Sequence, residues 1–299
     1  MNRDFPAEQL GIVDTGPPHQ DRDAQPALVR ADDADLLFDI FGDSPDSRSR
    51  RLPTGIPGLD ALGVGLGRGN LVVFAGVSSS GLSTALFTVA EQTAVRRQIS
   101  TLWIDEESPI DLVAERMVSG LASVNRTRFT DPGLSGDEAG RIRAARARLR
   151  RSPLRILGRL ETTAAVEQEL ASEPEVPRVL IIDGVRFLDH GAADIPYAEH
   201  LTGLGERLKR LAMRLQITIC VAHPVVDLPA TDPMETEDLY PFAAVSDNLI
   251  LLRTERGRAG QAQTLMSLEK SRTSPLGQFP ITPRFAFARF ESYPETGGV

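Results

Sequence analysis

The 299-residue sequence predicts an α/β fold, a mostly parallel twisted sheet flanked by helices, on three observations. From Leu52 onward, short runs rich in Val, Ile and Leu alternate with stretches of helical period, the pattern of a doubly wound sheet. Several of those runs are continuously apolar, as expected of strands covered on both faces. One of them, Leu71 to Ala75, leads straight into a glycine-bounded loop and a helix start, Gly76 to Thr84.

In chain order the expected strands are Leu71–Ala75, Ser100–Ile104, Leu154–Ile156, Val179–Ile182, Ile217–Ala222, Asn248–Leu252 and Gln263–Leu268. Helices are expected at Ser83–Ala94, Ile110–Gly120, Gly136–Arg150, Ala164–Ala171 and Ala198–Leu215. Residues 1–33 are polar, acidic and proline-bearing, too poor in apolar groups to offset the entropy of ordering, and are read as a disordered tail. Residues 34–51 follow as a short helix and a linker. Within them Leu36, Leu37, Ile40 and Phe41 form one apolar stripe, suited to capping this chain's own core or to docking on a neighbouring subunit. The main domain is placed at 52–292 and a short tail at 293–299.

Composition narrows the function classes. The single cysteine, Cys220, excludes a disulfide framework and a cysteine-based metal site, which fits a reducing interior. No basic-then-apolar leader opens the chain and no apolar run approaches the ~20 residues that span a bilayer, so a cytoplasmic protein without a membrane partner is expected. The net charge of −8 is concentrated in residues 1–47, which hold eleven acids and three arginines, so the remainder is neutral overall. Only two lysines occur, Lys209 and Lys270.

The loop carries the most specific chemistry. In the pattern G-x-x-x-x-G-K-[ST], backbone N–H groups and a helix N-terminus cradle phosphates, while the hydroxyl holds Mg²⁺. Gly76 and Gly81 bracket four residues and Ser83 takes the hydroxyl position, but Leu82 stands where the lysine belongs. An ordinary tight strand-to-helix turn would carry similar letters. Val179-Leu-Ile-Ile-Asp183 ends a strand in an acid about a hundred residues later, where a carboxylate can hold Mg²⁺ directly or through water. Three adjacent acids, Asp105, Glu106 and Glu107, offer a group to orient an attacking water, or simply a solvated turn.

The passage Leu52-P-T-G-I-P-G-L-D-A-L resembles the start of the RecA-like domain of DnaB-type replicative helicases, and to a lesser degree that of the RadA/Sms repair ATPases. The likeness to the DnaB type continues through Trp103-I-D-E-E-S, Asp111-L-V-A-E-R-M-V-S-G-L-A-S, Leu134-S-G-D-E-A-G-R-I, Arg148-L-R-R-S-P-L-R-I, Asp183, Glu269-K-S-R272, Pro275-L-G and Ala288-R-F-E. The family's N-terminal primase-contacting domain has no counterpart in it. The resemblance implies a RecA-like P-loop NTPase fold, assembled as a ring with ATP and Mg²⁺ between subunits and single-stranded DNA as partner. It implies a nucleotide cradle of Gly76, Ser78, Ser79, Ser80, Gly81, Leu82, Ser83 and Thr84, with Ser83 and Asp183 at the metal. It further implies Glu106 as the catalytic acid, His223 in the place of a γ-phosphate sensor, and Lys270 and Arg272 reaching the neighbouring subunit's site. His223 and the Lys270/Arg272 pair would otherwise pass as a core histidine and a solvated strand end.

Two departures shape the expectation. Losing the loop lysine removes a cation that meets charge shifting between phosphates, which should impair hydrolysis severely while backbone donors still permit binding. The segment Pro224–Phe242, which in the helicases includes DNA-gripping loops, has five acids and no Lys or Arg, unfavourable for phosphates. Conversely, seven arginines crowd Arg141–Arg155, as a nucleic-acid patch requires, although a solvated helix face would look alike and no aromatics interleave. Two functions therefore stand: a DnaB-type ATP-binding domain acting on DNA in replication or repair, and a pseudo-ATPase serving as structural or regulatory partner in an oligomeric ring. A mixed ring, in which Arg272 serves an intact neighbour, would join them.

Overall fold

The computed structural model describes residues 51–189, 196–225, 239–256 and 262–292. The expected acidic tail, the stripe at Asp35–Phe41 and the residues 293–299 lie outside these. The described elements run β1 (Leu52–Pro53), α1 (Pro57–Ala61), β2 (Gly65–Leu66), β3 (Leu71–Val77), α2 (Leu82–Ala90), β4 (Thr101–Asp105), α3 (Ile110–Ala122), α4 (Gly136–Arg151), β5 (Leu154–Leu157), α5 (Thr163–Ser172), β6 (Val179–Asp183), α6 (Tyr197–Leu215), β7 (Thr218–Val225), α7 (Tyr240–Val245), β8 (Asn248–Arg256), β9 (Ala262–Ser271), β10 (Gly277–Arg284) and β11 (Arg289–Ser292). Each expected strand and helix has its counterpart, with ends shifted by a few residues.

Nine strands form one sheet in the order β11-β10-β9-β8-β3-β7-β6-β4-β5. From β8 to β5 every neighbouring pair is parallel, and β3 lies between β7 and β8. Beyond β8 the sheet turns antiparallel through β9, β10 and β11, so it is mixed at that side rather than parallel throughout. The short β1–β2 ladder is separate.

Strand parity explains the unbroken apolar runs. Val72, Phe74, Trp103, Ile181 and Cys220 face a core against α2, where Phe87 stacks on Trp103 at 4.8 Å. Leu71, Val73, Leu102, Ile104, Leu180 and Ile182 face a second core against α6 and α7. Helix α2 widens into a π turn at Glu91–Arg96, earlier than the expected helix end. Helix α4 starts in a capping box: the Ser135 hydroxyl accepts from the Glu138 N–H, and the Glu138 carboxylate accepts from the Ser135 N–H. Arg128 holds that Glu138 carboxyl down at about 2.

The start of β3 is tied down by one carboxylate. Asp247 Oδ2 accepts from the Leu71 N–H at 2.8 Å and from Lys209 Nζ at 2.6 Å, while Arg272 Nε approaches Oδ1 at 3.0 Å. Lys209 also donates to the Gly69 carbonyl at 2.8 Å. Deleting the acid would strand a largely buried ammonium and a strand N–H. Asp247→Ala is therefore expected to lower unfolding free energy by about 3 kcal/mol in a urea titration, with Asp247→Asn losing less; equal, negligible losses would contradict this role.

Candidate nucleotide site

The loop between β3 and α2 is shaped by its glycines. A Cβ on Gly76 would lie 2.5 Å from the Leu252 carbonyl oxygen and 2.6 Å from Ser80 Oγ, so no other residue fits between β3 and β8. Gly81 adopts φ +104°, and a Cβ there would also meet the Phe290 ring at 2.8 Å. Ser79 is left-handed as well, at φ +66°. The Ser80 N–H donates to the Val77 carbonyl at 3.0 Å, and Thr254 Oγ1 donates to the Ser80 carbonyl at 2.7 Å, so the loop is pinned from both sides. Ser80 Oγ is buried without a hydrogen-bond partner among the described residues.

In front of this loop opens a cleft of about 450 Å³. Ser78, Ser79, Gly81, Leu82, Ser83 and Thr84 line one wall; Glu107, Arg116 and Asp183 face it, and Phe285 and Ala286 close one side. Leu82 is only 8% exposed and packs into the α2-side core, so it borders the cleft without filling it. The first N–H groups of α2 have no acceptor within the helix and carry the positive end of its dipole. Ser83 and Asp183 both line the cleft, and the Ser83 hydroxyl is near enough to favour the ionised Asp183 carboxylate, so the two expected metal residues share one wall. Burial pushes the Asp183 carboxyl up to about 7; Asp105 and Glu107 push the same way, while Ser83 and Arg116 pull against them. A divalent cation between a hydroxyl and a carboxylate would relieve that repulsion, so the donor set fits Mg²⁺.

Other expected residues fall elsewhere. Glu106 has its carboxylate turned away: Oε1 accepts from the Leu160 N–H at 3.0 Å and Oε2 from the Glu161 N–H at 3.3 Å. Asp105 is folded into its own turn, accepting from the Glu107 and Ser108 N–H groups. Of the three adjacent acids only Glu107 lines the cleft. His223 is fully buried and points to the opposite face of β7, with its ring 4.8 Å from Phe242, because Ala222 and Pro224 take the cleft-facing parity. Lys270 and Arg272 lie at the other end of the sheet, where β9 pairs with the first residues of β8. The Lys270 ammonium donates to the last carbonyls of α7, at Ala243 and Ala244, and burial lowers its pKa. Neither reaches this chain's own glycine loop.

Sequence reasoning did not single out Glu107 alone, nor Arg116 or Phe285. Arg116 shares α3 with the buried Val113 and Met117 but sits at the edge of that apolar face, a position which helical spacing alone could have flagged.

Residues 51–225 match the family described as the DnaB-like helicase C terminal domain, more than half of the chain. The chain belongs to that family. It is 26% identical to the replicative DNA helicase DnaB of Treponema pallidum over 80% of its own length and 55% of the relative's. It is 24% identical to the DnaB helicase of Leifsonia xyli over 82% and 56%. It thus spans about half the length of these curated relatives. Among solved structures, a DnaB-like replicative helicase described with its interactions with primase superposes with a TM-score of 0.71, at 16% identity over 80% of this chain and 62% of that one. A second solved structure, described as an ATPase domain, gives 0.74, at 15% identity over 89% and 100%. The RecA-like α/β fold expected of a DnaB-type domain is borne out, on a mixed sheet.

The Asp183 carboxyl in this DnaB-like site makes a signed prediction. A carboxyl whose pKa rises from 3.8 to about 7 on folding contributes stability fully below its unfolded value and loses it as pH rises through about 7. Free of nucleotide and metal, Asp183→Asn should melt above the parent protein at pH 8, and the difference should vanish by pH 4. A variant that melts lower at both pH values would refute the raised pKa.

Proposed function

We propose that this DnaB-like domain binds ATP with Mg²⁺ in the β3–α2 cleft as a subunit of an oligomeric ring acting on DNA in replication or repair, and that its own hydrolysis is impaired by Leu82. The observation carrying this reading is the open cleft: glycine loop, helix start, Ser83 and Asp183 converge on it while the Leu82 side chain packs in the core.

The roles follow from position. The backbone N–H groups of Ser78, Ser79 and Gly81 to Thr84 receive the phosphates, since that of Ser80 is spent on the Val77 carbonyl and the Ser80 hydroxyl is buried behind the cleft lining. Ser83 and Asp183 hold Mg²⁺, which when bound neutralises phosphate charge. Glu107 is better placed than Glu106 to orient a water, since Glu106 is spent on two backbone N–H groups. Arg116 supplies a cation to the cleft that partly replaces the missing ammonium. Phe285 offers a ring against which a base can stack.

The ring reading has Lys270 and Arg272, which lie at the far end of the sheet from this chain's own cleft and are held by the α7 carbonyls and Asp247, serve another copy's cleft. There Arg272 lines a cavity of about 510 Å³ together with Arg51 and Arg68, with Asp247 as its one acid among the described residues. The names of the relatives support replication as the setting and DNA as the partner. A second reading, a structural or regulatory pseudo-ATPase, is favoured by the comfortable burial of Leu82, which the fold accepts as an ordinary core residue. In a mixed ring such a subunit would present Arg272 to a competent neighbour.

Steady-state ATP turnover of the parent protein should be at least about 100-fold below that of Leu82→Lys, with both variants checked for equal melting temperature. Equal, substantial turnover would show that the leucine does no harm. In the Leu82→Lys background, Glu107→Gln should reduce turnover by about 100-fold or more, whereas Glu106→Gln should chiefly lower thermal stability; the reverse pattern would return the catalytic role to Glu106.

A further inference from the structure

We propose that the outward face of α4 is a sequence-independent binding surface for the phosphate backbone of nucleic acid. Helix α4 buries Ile142 and Ala145 and turns its arginines to solvent. Arg143, Arg146, Arg148, Arg150 and Arg151 are all exposed, and none has an ion pair or hydrogen bond to the described residues. Arg96, Arg128, Arg155, Arg207, Arg210 and Arg214 elsewhere in the molecule each meet a carboxylate, and no other helix of the described residues carries so many arginines without one. On α4 itself only Arg141 is engaged, by Asp137 and the carbonyls of Ala122 and Ser123. No acid follows Glu138 in the helix, and Glu138 is held by Arg128 and the Ser135 N–H.

Like charges three and four residues apart weaken a helix; the helix dipole favours Arg148, Arg150 and Arg151 in the last turn but gives no such return for Arg143 and Arg146. It does match a polyanion. At 1.5 Å per residue, Arg143 to Arg151 covers ~12 Å, long enough for several phosphates at ~3.4 Å per nucleotide of a duplex strand. Guanidinium forks bind phosphate oxygens bidentately, which lysine cannot do. An acidic protein is the weaker match, because the outward face between the arginines holds only Ala144, the apolar Val118, Phe129 and Leu149 being confined to a groove at its edge that also carries Asp111 and Glu115. On one side the surface ends at a groove where Arg146 and Arg150 face Asp111 and Glu115 of α3.

The inference deepens the proposed role on DNA by giving it a location, yet it requires neither a nucleotide nor a ring. It is tested on the full chain without ATP or Mg²⁺, by fluorescence anisotropy with a labelled 20-nucleotide single strand and the matching duplex between 50 and 200 mM salt. Replacing Arg143, Arg146, Arg150 and Arg151 by Gln should weaken binding at least about 10-fold at the lowest salt and flatten the log–log salt slope by about three. The single variant Arg150→Glu should show a smaller loss in the same direction, which covers the case of a misfolded quadruple variant. Replacing Arg210 and Arg214 of α6, which have carboxylate partners, should change little. Unchanged affinity and slope in the α4 variants would overturn the proposal. So would absence of binding by the parent protein, or competition by poly-glutamate as effective as by unlabelled DNA. Loss of nucleotide binding alone, with the salt slope intact, would count against the cleft and not against α4.

Discussion

The candidate site depends on one steric constraint, the turn from β3 into α2. Gly76 passes so close to the Leu252 carbonyl and to Ser80 that a methyl group would not fit, and Gly81 must take a left-handed conformation against the Phe290 ring. Both contacts exist because β3 is the interior strand between β7 and β8, with β8 carrying the antiparallel extension that brings β11 and Phe290 back to the loop. The antiparallel addition is thus more than an edge: it supplies part of the wall against which the loop is moulded. Leu82 fits this turn because position and packing, not charge, decide its conformation.

Around Asp183 negative charge outweighs positive. Asp105 and Glu107 raise its pKa along with burial, and Arg116 is the cation that opposes them. Such a carboxyl is costly to keep buried and ionised. The cations expected to act in trans occupy the other end of the sheet, where Arg51, Arg68 and Arg272 line a cavity. An acid cluster thus lies at one end of the sheet and a mostly basic cavity, with Asp247 as its acid, at the other.

Much of this was legible in the sequence because the main signals are periodic. The doubly covered strands show as continuous apolar runs, and the amphipathic α6 with Leu201, Leu204, Leu208 and Leu211 shows as a helix. The glycine loop was legible from spacing alone. The two-residue strands β1 and β2, the short α7 and the hairpin strands β10 and β11 were not, since elements of a few residues or with prolines such as Pro280 and Pro283 carry little pattern. Side-chain direction was not legible where a single residue decides it. Glu106 and Glu107 are neighbours, yet a backbone clamp takes one and the cleft the other. His223 lies one position from two cleft-lining residues and therefore faces the opposite core.

The central claim is that main-chain amides and the Ser83–Asp183 pair suffice to hold a nucleotide although a hydrocarbon replaces the loop's ammonium. Isothermal titration calorimetry of the full chain with a non-hydrolysable ATP analogue, with and without Mg²⁺ and with particle mass measured on the same sample, tests it directly. The account predicts saturable, Mg²⁺-dependent binding at about one site per chain, weakened by Asp183→Ala. No binding heat at millimolar analogue with Mg²⁺, from protein shown to be folded, would contradict it.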